Sequence, residues 1–582
     1  MKKLKINVLF HFFLLLLFFV ITNDYLCYLF KINYSVILYL ISFLLTIMLF
    51  FMTKKYVSTQ KIDFNKLDII FIIVLLMVII SRIAIPDSAF DTLNYHIYLQ
   101  ERVFSNNTGY NFFPARWINT FSLPLADRIH FLFRNILGYR LGIFANILVM
   151  VIIYYQIKII LNHFIDNKNY ISLLACIILI TEQLMSNMMN YYVDLMSIPL
   201  FLEILIIIYY NKKSNTFTNI VVLFMAGVLV SLKISNAFFI IPLAIIYIFK
   251  YKKDIDIKSL LIGIPVFTFP FLIYLINNYI QTGNPVFPFY NALFHSKYLP
   301  DNNWIETFYG PKRNIERVFW PIYILFYPRR TFDADYYYGR VSFGYFISLI
   351  LFIIICIKRI IKKEKLNDFD KLIILFILLC LIWSTNMMGY IRYALVLEVL
   401  SGIILSIIIF KTFTNKKNTS LVIGFLSVYA MAHTMFFTMG DMLNGTREYS
   451  WRIPMSIYNL STNDKKNFRQ LFAKKKNYEK KIKEIDCIGI IDYNSGYAAL
   501  LSKTKKIINL NEGYASEYGK KEFEKRINKC KNIYTVSTTK TLERTEKYLM
   551  MSKYKRKSNE IKFKTDFLNA DNDIILFEIE KE

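Results

Sequence analysis

The chain has 582 residues, 55% hydrophobic and 19% charged, with a formal net charge of +28. A soluble protein of this length would be more polar and would divide into a few domains. In a soluble protein the excess of Lys and Arg would suggest nucleic acid; here it reads as cytoplasmic loops of a membrane protein plus a basic outer domain, and no nucleic-acid partner is expected.

The apolar residues stand in long uncharged blocks, continuous rather than alternating, so they read as helices and not as barrel strands. Crossing the hydrocarbon core takes about 20 such residues. In chain order the blocks predict helices near 7–30, 34–52, 67–85, 139–161, 170–188, 193–211, 217–232, 236–250, 258–278, 342–357, 370–386, 392–411 and 419–438. No small-residue cleavage site follows the first, which reads as retained rather than as a signal peptide. The predicted fold is a polytopic α-helical membrane protein with about 13 spans.

Topology follows from the short loops. Lys2, Lys3 and Lys5 place the N-terminus in the cytoplasm, and basic clusters recur at every second loop: Lys54, Lys55, Lys61 and Lys66; Lys168; Lys212 and Lys213; Lys250–Lys258; Lys358–Lys365; Lys411–Lys417. The remaining segments then face outward, chiefly 86–138, 279–341 and 439–582, with Lys31 and Lys233 as lone exceptions to the charge bias. From about 450 the chain reads as short strands (487–491, 506–510, 533–536, 574–579) alternating with helical segments (495–501, 520–529, 540–551). That alternation predicts a small α/β domain. Three regions result: 1–66, an N-terminal hairpin and cytoplasmic loop; 67–440, a transmembrane domain; 450–582, an extracytoplasmic domain.

Cys27, Cys176, Cys356 and Cys380 fall in apolar helices, whereas Cys487 and Cys530 lie in the tail, where spacing leaves open whether they pair. The six histidines show no ligand spacing, so no metal is expected. There is no phosphate-binding glycine loop and no nucleophile elbow.

The polar residues that stand out lie at helix ends on the outer side. Asp87 and Asp91 are four apart, so on a helix both carboxylates share a face with Tyr95 one turn on. Each suits a general base beside the membrane or, more plainly, a helix cap on a solvated loop. Asp194 opens an apolar helix, where it either complements the helix dipole or adds a second acid to the same surface. Gly283, Pro285 and Pro288 impose a turn and an extended stretch. Asp333 and Asp335 look like a short acidic metal–nucleotide-sugar motif, discounted because their loop faces outward. Arg392, next to Tyr393, and Lys233 are cations at the membrane boundary, placed either to anchor at the interface or to bind an anion such as a lipid phosphate.

In order along the chain, Phe90-Asp-Thr-Leu-Asn-Tyr-His96, Tyr192-Val-Asp-Leu195, Thr282-Gly-Asn-Pro-Val-Phe-Pro288 and Gly389-Tyr-Ile-Arg-Tyr393 form a familiar set. Over about 86–440 the chain resembles the GT-C superfamily of polyprenol-dependent glycosyltransferases, in particular the bacterial relatives of protein O-mannosyltransferases and aminoarabinose transferases. Ile508-Asn-Leu-Asn-Glu-Gly513 is similar to a short motif in the outer domain of some members. The chain departs from the family in a helix pair before Lys54 and in lacking the proline that often follows the late Arg–Tyr element.

The resemblance implies direct transfer of a sugar from a polyprenyl-phosphate donor to an extracytoplasmic glycan, lipid or protein, without a cofactor. Asp91 is the position matching the catalytic base. Arg392, Lys233 and Tyr393 would hold the lipid phosphate, Asp194 would orient the acceptor or Arg392, and Asp87, Tyr95 and His96 would position substrate. Asp87 competes with Asp91 as base; only Asp91 has the matching spacing to Tyr95 and His96. Two rival classes stand beside this one. A surface-polysaccharide polymerase or ligase would suit the arginine-rich loop 279–341. A transporter would need broken helices and polar groups at mid-membrane.

Overall fold

The computed structural model of the chain describes residues 3–60, 64–84, 86–87, 89–104, 117–303, 308–331, 339–413, 418, 420–426, 478–491, 494–511, 513, 515–565, 567–568 and 572–582. Helices α1 (Val8–Phe30) and α2 (Val36–Thr53) form a hairpin. The Asn7 side chain caps α1 by accepting the Leu9 N–H, and Lys31, at φ 53°, turns the chain out of its last turn. After α3 (Asp68–Ala84) come a π turn (Thr92–His96), α4 (Ile97–Arg102), α5 (Leu125–Leu141) and α6 (Phe144–Asn162). Next are α7 (Lys168–Leu179), α8 (Glu182–Met189), α9 (Ile198–Tyr210), α10 (Thr216–Leu232), α11 (Asn236–Tyr251) and α12 (Ile257–Thr282). A loop bearing the short α13 (Asn291–Phe294) and α14 (Asn314–Tyr323) leads to α15 (Arg340–Lys362), α16 (Asp368–Asn386) and α17 (Leu395–Thr412).

Among the described residues six helices are long and apolar enough to cross a membrane: Val8–Phe30, Val36–Thr53, Phe144–Asn162, Ile257–Thr282, Arg340–Lys362 and Ile391–Thr412. Shorter apolar helices run over Asp68–Ile80, Thr216–Leu232 and Asn236–Tyr251. In α2 only Leu38 and Ser42 are buried, and Ile37, Leu44 and Phe51 are each more than half exposed. Lipid is the solvent that suits a continuous bare face of this length.

Polar contacts tie the helices together at both ends. At one end Lys158 of α6 meets Asp68 of α3 at 2.7 Å, His163 meets Asp368 at 3.1 Å, and Tyr251 donates to the carbonyls of Ile207 and Asn211. There β1 (Leu4–Asn7) pairs in parallel with β2 (Val57–Gln60). This is the end at which the predicted lysine-rich loops lie. At the other end Arg128 of α5 reaches Asp24 of α1 at 2.8 Å, and Tyr274 of α12 donates to the same carboxylate at 2.6 Å.

Most predicted helices are present with shifted ends, but the structure corrects several. The expected helix 170–188 is two, broken at Ile180; Thr181 caps the second by accepting the Leu184 N–H. The helices expected from 193 and 392 begin as 3-10 turns, Asp194–Ser197 and Ile391–Ala394. Asp87 and Asp91 do not share a helical face, because Asp87 precedes the helix. Helix α5 was not expected. The count of 13 spans is not reproduced by the six helices that are long enough. The last predicted helix, 419–438, is described only to 426, and Asp333 and Asp335 lie outside the described residues.

The tail forms one sheet from β3 (Cys487–Ile490), β4 (Lys506–Asn509), β5 (Ile533–Thr538), β6 (Tyr554–Phe563) and β7 (Ile574–Lys581). The order is β4-β3-β5-β7-β6; the first three strands are parallel, and β7 runs antiparallel to β5 and β6. Helices α18 (Ser495–Leu501), α19 (Glu517–Ile527) and α20 (Leu542–Met551) accompany it, and a disulfide joins Cys487 to Cys530. The domain sits on α4, α5 and the loop after α12: Arg102 donates to the Ser502 carbonyl at 2.5 Å, Arg140 to that of Leu568 at 3.0 Å, and Ser516 N–H to that of Tyr298 at 3.0 Å.

Candidate active site

The segment after α3 is built around Asp87. Its carboxylate accepts from the Ala89 N–H, the Thr92 hydroxyl and the Tyr191 N–H, each at 2.8 Å. The fully buried Arg82 stands 3.6 Å away and donates to the Met189 carbonyl and the Asn190 side chain. Asp87 thus pins the first loop to the turn after α8. Four residues on, Asp91 occupies the N-cap of the π turn. A π turn takes about one residue more per turn than an α-helix, so the residues four and five places on, Tyr95 and His96, both come under the Asp91 carboxylate. Tyr95 hydrogen-bonds to Asp91, and His96 Nδ1 lies 2.9 Å from Asp127 of α5.

Four charges from four distant segments then form a row. Asp91 Oδ2 accepts from Arg392 Nη1 at 2.6 Å; Arg392 Nε lies 3.5 Å from Asp194 Oδ2; Asp194 Oδ1 accepts from Lys233 Nζ at 2.5 Å. Each side chain comes from a break between helices. Asp194 and Arg392 sit in the 3-10 turns that open α9 and α17, and Lys233 is the extended residue between α10 and α11. Charges belong at such breaks, where backbone groups are unpaired and the dipole of α9 favours an acid. Rings complete the row: Lys233 Nζ stands 3.4 Å over Tyr393, and the Arg392 guanidinium 4.9 Å from the Tyr192 ring centre.

The side chains of Asp91, Asp194 and Arg392 are 13%, 8% and 8% exposed. Burial pushes the Asp91 carboxyl up, but Arg392, His96 and the Tyr95 hydroxyl outweigh it and hold the group below the usual carboxylate range. Asp91 is therefore an anion at neutral pH. Beside Arg392 lies a small, partly open pocket with room for about one water molecule, whose polar walls are Asp194, Ser197, Lys233, Asn236, Arg392 and Tyr393. Asp91 is not among them and meets this space through Arg392. The Ser235 hydroxyl, also in the wall, is buried and has no hydrogen-bond partner among the described residues.

Of the residues singled out in the sequence, the fold brings Asp91, Asp194, Arg392, Lys233 and Tyr393 into one cluster, with Tyr95 and His96 beside Asp91. Asp87 lies outside the row. Sequence reading passed over Arg82, Asp127 and Asn236; Asn236 donates to Ser197 Oγ at 2.8 Å and to the Leu229 carbonyl at 2.9 Å. Asn236, close behind Lys233 at a helix start, was legible as a capping-type residue; Asp127 was not, since its partner is 31 positions away. The one group of three metal-type ligands among the described residues is Asp486, Cys487 and Cys530, whose two sulfurs are bonded to each other.

A protein family described as a domain of unknown function (DUF8201) matches residues 131–399. Among solved structures, the crystal structure of ArnT from Cupriavidus metallidurans bound to undecaprenyl phosphate aligns with 87% of this chain and 97% of that chain, at 11% identity and a TM-score of 0.45. The apo state of the same protein aligns over the same shares at 11% identity and a TM-score of 0.43. At these scores the likeness carries no argument for fold or function. A comparison with curated proteins finds no match.

Proposed function

We propose that this chain is a membrane glycosyltransferase that moves a sugar from a polyprenyl-phosphate donor to an acceptor outside the cytoplasm. The supporting observation is the row Asp91–Arg392–Asp194–Lys233, in which residues of three GT-C-like sequence landmarks meet a fourth charge beside a small pocket. In this reading the donor phosphate docks against Arg392 and Lys233 where that pocket opens, and the acceptor hydroxyl approaches Asp91.

In the reaction the acceptor oxygen forms a bond to the anomeric carbon as the bond from that carbon to the phosphate oxygen breaks, with inversion. The bonding pair leaves on the phosphate, and the proton of the acceptor goes to Asp91. The transition state is oxocarbenium-like. A carboxylate held low by Arg392 is a weak base, so it takes the proton late, once bonding to carbon has made the acceptor oxygen acidic. Arg392 and Lys233 offset the charge that grows on the leaving phosphate. Asp194 holds both cations in place. The tail disulfide supports placing that domain in an oxidising, extracytoplasmic compartment.

The test is transfer from a panel of labelled polyprenyl-phosphate sugars in membranes carrying the protein, with Asp91→Asn at matched levels. Transfer by the native chain that falls roughly 10²- to 10⁴-fold in the variant is the expected outcome. Equal transfer by both removes Asp91 from the mechanism.

A further inference from the structure

The π turn that carries the Asp91 site is held in part from outside its own helix. Where a π turn returns to an α-helix, the bonding pattern shifts from five residues back to four, and one carbonyl more is available than there are helical N–H groups to meet it. Here the Ile97 N–H bonds to the Thr92 carbonyl in the π pattern, and α4 begins at Ile97. The carbonyls at this junction include those of Leu93 and Asn94. Ser495, at the start of α18 in the tail, places its hydroxyl 2.9 Å from the first and 2.5 Å from the second.

The next residue makes this approach possible. A Cβ on Gly496 would lie 2.9 Å from the Leu93 carbonyl oxygen and 3.0 Å from Leu93 Cα, so only glycine lets α18 come this close to the turn. Ser495 is completely buried, and Asn494 nearly so. At the last residue of α4, Arg102 donates to the carbonyls of Ser502 and Lys505, clamping the other end of α18 to α4.

We propose that Ser495 and Gly496 are positioning residues. Through the Leu93 and Asn94 carbonyls they hold the π turn in the register that sets Tyr95 and His96 under Asp91. On this account the tail domain is a working part of the site. The proposal rests on the functional reading above for its kinetic test but not for its structural one.

Four variants of the full-length protein in lipid nanodiscs decide it: Ser495→Ala, Ser495→Thr, Gly496→Ala and the control Ser516→Ala, which removes a tail contact to the Lys297 carbonyl elsewhere. Backbone hydrogen exchange is followed across 92–102 and across 533–538. Ser495→Ala and Gly496→Ala are expected to speed exchange in 92–102 and leave 533–538 protected; Ser495→Thr, which keeps the hydroxyl, and Ser516→Ala are expected to change neither. In the transfer assay the first two variants are expected to lower kcat about 10- to 100-fold with little change in donor KM, and Ser495→Thr to recover it. Unchanged exchange in 92–102 in both variants overturns the proposal, as does exchange that rises equally in the sheet. Exchange is readable even if no donor is ever transferred, so failure of the functional reading leaves this result standing.

Discussion

Arg392 is shared by two carboxylates, and each answers to it differently. Asp91 is kept low chiefly by this guanidinium against its own burial. With its folded pKa depressed, Asp91 adds stability that is full above the unfolded value of about 3.9 and is lost as pH falls through the folded one. On the proposed mechanism, for the same reason, the acid limb of the native rate profile is expected to lie below the ordinary carboxylate range. Replacing Arg392 with Gln leaves burial in command, so the limb is expected to move to higher pH in a kcat–pH profile; an unmoved limb would show that another group sets the charge of Asp91. Asp194 holds Arg392 and Lys233 together. Asp194→Ala leaves Lys233 without its carboxylate and Arg392 with Asp91 alone, and is expected to cost about 1–3 kcal/mol, read as a lowered Tm, whereas the double variant Asp194→Asn, Lys233→Met recovers part of it. The cluster was half legible in the sequence. Asp91, Asp194, Lys233 and Arg392 stand out because each interrupts or borders apolar chain. The π turn does not, since Thr92–His96 has no composition that sets it apart from an ordinary helix, and the structural task of Asp87 depends on the Tyr191 N–H, 104 residues away.

Individual elements show where legibility ends. Helix ends near 30, 53, 232 and 251 fall where uncharged blocks stop, because the membrane requirement writes itself into composition. Helix α5 was read as loop because its sequence carries Asp127, Arg128, His130, Arg134 and Arg140, all buried. Their partners Asp24, His96 and Glu101 come from other elements, so the burial of those charges is a product of folding that a local reading does not contain. Strand β6 was missed for a related reason. It is a charged edge strand, Tyr-Lys-Arg-Lys-Ser-Asn-Glu-Ile-Lys-Phe, whose lysines guard the sheet edge while it pairs with β7. The 3-10 turn of Arg392 is set by the stretch before it. Gly389 has φ 64°, and its carbonyl accepts from Trp320 Nε1 at 2.9 Å, with the indole packed where a side chain would stand. Gly389→Ala is expected to cost about 1–3 kcal/mol in thermal unfolding and to raise donor KM by displacing Arg392, while Trp320→Phe removes only the hydrogen bond and shifts both less.

For the whole molecule, the open question of orientation has a direct readout. Lys212 and Lys213 lie in a loop assigned to the cytoplasm by charge, and Lys555 lies on the exposed edge of the tail sheet. In intact cells, a membrane-impermeant maleimide is expected to label Lys555→Cys at once and Lys213→Cys only after permeabilisation; the reverse pattern would invert the molecule. With the tail seated on the π turn, the order in which the chain is made acquires a meaning. Leu93 and Ser495 are 402 residues apart. A ribosome delivers the Asp91 segment early, and all the helices from α1 to α17 are made before the residue that steadies that segment exists. A chain cut short within its tail, or one whose tail fails to cross, would sit in the membrane with its helices in place and its Asp91 turn slack. On the proposed orientation and function, export of the final segment, rather than insertion of the helices, would be the event that brings a new molecule into service.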